Sequence, residues 1–158
     1  MNDVPLIRRG SPVDLTAIES LLQNAGLPTE DIRGISGLRT WVIETGATLR
    51  GAIALEPFAH EGILRSLAVT PDARSHGLGR RLVAQLESDA RTDGVRKLVL
   101  LTQTAEKFFK NLGYQIISRD DVSGVVKGSA QFRSLCPASA TCMAKVLVST
   151  SDIENSHG

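Results

Sequence analysis

Apolar residues along this chain recur at two spacings, and the change from one to the other marks out its elements. Residues 4–9 alternate and predict a first strand. Ser11-Pro12 supplies a cap with a proline in the first turn, and Asp14 adds a negative charge there; Leu15, Ile18, Leu21 and Leu22 then recur at helical spacing until Gly26-Leu27-Pro28 stops them. Residues 29–37 are polar and glycine-interrupted, a second short helix or an ordered loop. Residues 40–45 and 49–56 read as strands joined tightly at Gly46-Ala47, residues 57–62 as a turn, and residues 63–69 as the next strand, together a three-strand meander.

The pattern breaks at Thr70-Pro71 into a glycine-bearing turn, Arg74-Ser75-His76-Gly77-Leu78-Gly79, and a helix is predicted from near Arg80. In that helix Leu82, Val83, Leu86 and Ala90 face inward, with Arg80, Arg81, Glu87, Asp89 and Arg91 outward, and Asp93-Gly94 ends it. Residues 97–102 are nearly all apolar, as a strand covered on both faces would be. A short helix over 104–112, a strand over 114–118, one or two short helices within 120–135 and a final strand over 140–148 complete the order, and residues 149–158 form a polar tail expected to be disordered. The whole reads as one α/β or α+β domain over 1–148, a mixed sheet with helices on both faces.

Composition narrows the picture without adding a partner. The 158 residues are 42% hydrophobic and 22% charged with a formal net charge of +1, which gives no electrostatic reason to expect nucleic acid or a membrane surface. No apolar run approaches the roughly 18 residues of a membrane span, and the polar N-terminus does not read as a signal peptide, so a cytoplasmic location is expected. Cys136 and Cys142, without a third cysteine, predict thiols rather than a disulfide or a metal centre.

The candidate chemistry lies at the glycine turn. A strand feeding a glycine-bearing turn that opens a helix gathers backbone N–H groups at the positive end of a helix dipole, which suits a phosphate. Alone, that fits many nucleotide-binding proteins. The element order, the entry Leu67-Ala68-Val69-Thr70-Pro71-Asp72-Ala73-Arg74, the pattern Arg74-x-x-Gly77-x-Gly79, and Ala105-x-x-Phe108-Phe109-x-x-Leu112-Gly113-Tyr114 downstream together resemble the GNAT superfamily of acetyl-CoA-dependent N-acetyltransferases.

The resemblance implies a six- to seven-stranded mixed sheet flanked by helices and splayed at its fourth and fifth strands, with acetyl-CoA as co-substrate and no metal. It implies that the backbone of Leu67, Ala68 and Val69 pairs with pantetheine and that the N–H groups of Ser75, His76, Gly77, Leu78, Gly79 and Arg80 hold the pyrophosphate. Arg74 would position the loop, while Thr102 and Phe109 would also face the cofactor. The family's usual tyrosine acid is replaced by Phe109. The thiolate would then leave unaided, as a thiol pKa near 8.5 permits, or take a proton from Ser66, Thr102 or water.

Glu56, ending an otherwise apolar strand, is the first candidate for the base that takes the acceptor's proton, with His60 and Glu61 as alternatives. Arg65 places a guanidinium among apolar strand residues, suited to an anionic group of the substrate or to Glu44 or Glu56 within the meander; Arg39 and Arg133 are further substrate candidates. A second resemblance, carried by Phe132-Arg133-Ser134-Leu135-Cys136-Pro137-Ala138-Ser139-Ala140-x-Cys142-Met143, is to arsenic-resistance members of the superfamily, relatives of arsinothricin and phosphinothricin acetyltransferases. The expected activity is acetyl transfer to a small, anionic, amino-acid-like amine by a monomer or homodimer. A peptide or protein N-acetyltransferase and a catalytically weak acetyl-CoA sensor are the alternatives.

Overall fold

The computed structural model describes residues 4–135 and 139–147. The expected tail over 149–158, Cys136 and the end of the last predicted strand lie outside those residues. Among the described residues, seven strands are ordered β1-β2-β3-β4-β5-β7-β6: β1 Leu6–Arg9, β2 Arg39–Thr45, β3 Thr48–Phe58, β4 Glu61–Val69, β5 Lys97–Thr102, β6 Gln115–Ile116 and β7 Thr141–Val146. The α-helices among the described residues are α1 Leu15–Asn24, α2 Leu78–Thr92, α3 Glu106–Asn111 and α4 Gly124–Lys127. The described residues form two compact units, one comprising those up to Glu56 with Leu64–Leu86, the other Pro57–Ile63 with those from Glu87.

In the first unit β1 and β3 both run antiparallel to β2, with Leu6 opposite Glu44 and Arg39 opposite Leu55. The register shifts between Ile43 and Glu44, a bulge beside the tight turn where Gly46 takes φ +60°. Ser11 and Asp14 set the entry to α1. The Ser11 N–H donates to Asp14 Oδ2 at 2.8 Å, and Arg8 clamps the same carboxylate through two 2.9 Å bonds. That clamp holds the Asp14 carboxyl well below the usual carboxylate range.

Ile18 and Leu22 of α1 pack with Val42, Ala52 and Ala68, and Ile32 joins them from the loop that follows α1. The 3₁₀ turn at Ile32–Gly34 is therefore the outcome for residues 29–37, and burying Ile32 anchors the loop that carries Asp31. Gly51 is required by close approach: a Cβ there would stand 3.1 Å from the Ala68 carbonyl oxygen, Ile43 Cγ2 and Leu82 Cδ1.

In the second unit Glu61, Gly62 and Ile63 pair in parallel with Lys97, Leu98 and Val99, and β7 runs antiparallel to both β5 and β6. Ile63, Val99, Val122, Val126, Cys142 and Ala144 form its core. Three expectations are corrected. The predicted turn over 57–62 is only Ala59-His60, because β3 continues through Pro57 to Phe58; Ala59 takes φ +56° to close it. The strand expected over 114–118 contracts to Gln115–Ile116. Glu87, assigned outward, is only 6% exposed: it accepts from Tyr114 Oη at 2.8 Å and from Lys145 Nζ at 3.0 Å, which satisfies a buried carboxylate.

Candidate active site

Within the first unit, the end of β3, the middle of β4 and the loop after α1 bring four side chains together. Arg65 is 3% exposed. Its guanidinium grips Asp31 as a fork, Nη1 to Oδ2 and Nη2 to Oδ1, each at 2.6 Å. Nη1 also reaches Glu56 Oε1 at 3.3 Å, and Nε donates to Ser66 Oγ at 3.2 Å. Glu56, Arg65 and Ser66 thus meet in one cluster; of the two acids the sequence offered to Arg65, it contacts Glu56, while Glu44 pairs with Arg8. Asp31 was not anticipated. It precedes Ile32 in a polar loop and pairs with a residue 34 positions away, so no local pattern announces it.

Two carboxylates share one guanidinium, and the burden falls on Glu56. Burial pushes its carboxyl up from the usual value; the charge and hydrogen bond of Arg65 pull the other way, and the charge of Asp31 adds to the rise. Ser66 takes φ +60°, uncommon for a residue with a Cβ, so β4 departs from plain alternation beyond Arg65. Leu67 and Val69 are half-buried and Ala68 is buried. His60 and Glu61, the alternative bases, belong to the second unit: His60 is exposed in the hairpin tip with Nδ1 3.4 Å from the Gly94 carbonyl, and Glu61 opens β4 opposite Lys97.

The glycine turn is tighter than predicted. A 3₁₀ turn occupies Pro71–His76, Gly77 takes the left-handed conformation at φ +74°, and α2 begins at Leu78 rather than near Arg80. A Cβ on Gly77 would meet nothing within 4 Å, so this glycine serves the backbone conformation rather than space. The Arg81 N–H bonds the Gly77 carbonyl. The N–H groups of Leu78, Gly79 and Arg80, in the first turn of α2, precede any intrahelical acceptor and are available to an anion. Arg74 Nε donates to the Val69 carbonyl at 3.1 Å and ties the turn to the end of β4. Ser75 lies within the 3₁₀ turn, and His76 and Arg80 are exposed. These features fix the turn between β4 and α2 and leave first-turn N–H donors at the start of α2.

Arg39 opens β2, half-buried, opposite Leu55. In the second unit, Thr102 Oγ1 accepts from the Ala105 N–H at 3.0 Å in the turn that precedes α3. Phe109 is buried edge-to-face against Phe108 and Tyr114, at centroid distances of 5.0 and 5.4 Å. Arg133 is exposed in a π-helical turn over Gln131–Leu135. Cys142 is buried in β7, and burial raises its thiol pKa. Among the described residues, no group of three His, Cys, Asp or Glu side chains is placed to hold a metal ion, and no helix is long and apolar enough to cross a membrane.

The profile of the Acetyltransferase (GNAT) domain family matches residues 36–116, half of the chain and the whole run from β2 through the glycine turn to β6. The chain belongs to the GNAT acetyltransferase family. Among its relatives, an amino-acid acetyltransferase of Ralstonia nicotianae is 35% identical over 83 residues, which are 51% of this chain and 18% of that protein. The N-acetylglutamate synthase of Neisseria gonorrhoeae, solved with coenzyme A and L-arginine, superposes with a TM-score of 0.75 at 25% identity, covering 92% of this chain and 34% of the synthase. Rv2747 of Mycobacterium tuberculosis, solved with CoA, shares the fold at nearly full length on both sides: TM-score 0.77, 24% identity, 90% of this chain and 99% of that one. The chain thus spans about a fifth of the curated amino-acid acetyltransferase it matches.

Proposed function

We propose that this GNAT domain transfers an acetyl group from acetyl-CoA to the amine of a small, amino-acid-like acceptor. The observation that carries the reading is the run from β4 through Gly77 into α2, inside the matched family region, with a fixed set of outward N–H donors. Leu67, Ala68 and Val69 would offer backbone groups to pantetheine, and Leu78, Gly79 and Arg80 would hold the pyrophosphate, with Arg74 bracing the loop from Val69. Acetyl-CoA supplies the activated acetyl group.

Glu56 takes the acceptor's proton. A carboxyl raised by burial is a better base for an ammonium than an ordinary surface carboxylate. Arg65 and Ser66 hold Glu56 and its surroundings in place. Tyr114, the chain's only tyrosine, does not replace the missing acid: its hydroxyl is buried and committed to Glu87, and burial holds it well above the normal tyrosine range. The resemblance of the C-terminal third to arsenic-resistance members adds toxic amino-acid analogues to the acceptors worth testing.

Free-thiol release from acetyl-CoA, measured across amino acids, phosphinothricin-type analogues, polyamines and N-terminal peptides, tests the reading. Turnover on amino-acid-like acceptors that collapses in Glu56→Gln is the expected result. Release by peptides alone, or acetyl-CoA binding with no turnover on any amine, would overturn it.

A further inference from the structure

The Asp31 carboxylate sits on the fork of Arg65 in the two-bond geometry that an incoming carboxylate would adopt, at 2.6 Å on both arms. Arg65 has 1% of its side chain exposed, against 16% for Asp31, so its fork is filled from within the chain and Asp31 is the member in touch with solvent. With Glu56 3.3 Å away, the cluster holds two acidic groups against one guanidinium, a local charge of −1 when both are ionised. An acceptor carboxylate arriving beside Arg65 would find no open fork and two like charges. An ammonium would find a net negative neighbour.

We propose that Asp31 sets the charge selectivity of the acceptor: by occupying Arg65 it excludes an acidic side group from the Glu56 end of the site and favours the acceptor's amine there. The proposal rests on the acetyltransferase reading with Glu56 as base. It also reassigns the anionic partner of Arg65 from the substrate to the protein itself. Asp31 is a positioning residue, acting through Arg65 and Glu56, and its charge contributes to the raised proton affinity of Glu56.

The test compares kcat/KM for acceptor pairs of matched shape that differ by one charge: asparagine against aspartate, glutamine against glutamate, and the amide and acid forms of whichever acceptor the panel returns. A ratio within one preparation is insensitive to the fraction of folded enzyme. The wild type is expected to prefer the neutral member. Asp31→Asn, which returns the fork to the site and lowers the local negative charge, should shift the ratio toward the acid by about tenfold or more. It should also move the acidic limb of the kcat/KM profile to lower pH, since Glu56 loses a negative neighbour. Asp31→Glu should keep the wild-type ratio.

A wild type that prefers the acidic member, or an Asp31→Asn variant that binds acetyl-CoA normally yet leaves ratio and pH limb unmoved, would overturn the proposal while the acetyltransferase reading stands. Absence of turnover on every amine would remove both.

Discussion

Replacing Arg65 with leucine tests how the buried cluster is held together. Leucine fills the space of the aliphatic stem but withdraws the bidentate bond to Asp31, the contact to Glu56 and the bond to Ser66. Two carboxylates are then left against each other with only 16% and 11% of their side chains exposed. Breaking a buried ion pair from one side costs about 3–5 kcal/mol. Asp31 is on a loop and can turn toward water, so the lower end, about 3 kcal/mol, is expected, a fall in Tm of roughly 6–12 °C for a chain of this size.

The penalty carries a pH signature. The Glu56 carboxyl is already raised in the folded protein above its ordinary value of 4.5, and removing Arg65 takes away the group that pulls it down. A carboxyl raised on folding favours the folded state below its unfolded pKa and loses that contribution as pH rises through the folded value. The Arg65→Leu penalty should therefore be larger near about pH 8 than near about pH 5, because protonation of Glu56 relieves the uncompensated charge as the pH falls. Urea unfolding followed by circular dichroism at the two pH values measures it. A penalty below about 1 kcal/mol, or one that grows toward acid, would refute the view that Arg65 compensates two buried carboxylates.

Tyr114 is the chain's only tyrosine, so its titration can be followed by absorbance alone. Phenolate should be missing near pH 10, the ordinary tyrosine value, and appear only as the protein unfolds in stronger alkali; a normal titration in the folded protein would show that Glu87 does not hold the hydroxyl. Tyr114→Phe should cost about 1.5–2 kcal/mol by urea unfolding while leaving thiol release unchanged, because Glu87 keeps Lys145. Gly51→Ala should destabilise by about 1–3 kcal/mol, since the new methyl meets the Ala68 carbonyl, Ile43 and Leu82 at 3.1 Å; a neutral melt would mean that β3 and its neighbours yield easily.

Periodicity and punctuation alone identified most of the frame. Alternation and helical spacing are properties of neighbouring residues, so β1 to β5, α1, the body of α2 and β7 were legible, and the glycines at 77 and 79 marked the turn that opens α2. Burial of individual charges was not. Glu87 looks like an outward residue on α2 because the pattern cannot show that Tyr114 and Lys145 will converge on it. Arg65 reads as a guanidinium for a substrate anion or for Glu44 or Glu56, and its main partner is missed for the same reason: Asp31, the acid that grips it, is 34 residues away in a loop with no regular pattern. Only when Ile32 is drawn into the core beside Ile18 and Val42 does that loop bring Asp31 to the guanidinium. Sequence determined which residues carry charge and where the glycine turn lies. Tertiary structure decided which charges neutralise each other, because ion pairing depends on distance in space, and long-range packing sets that distance.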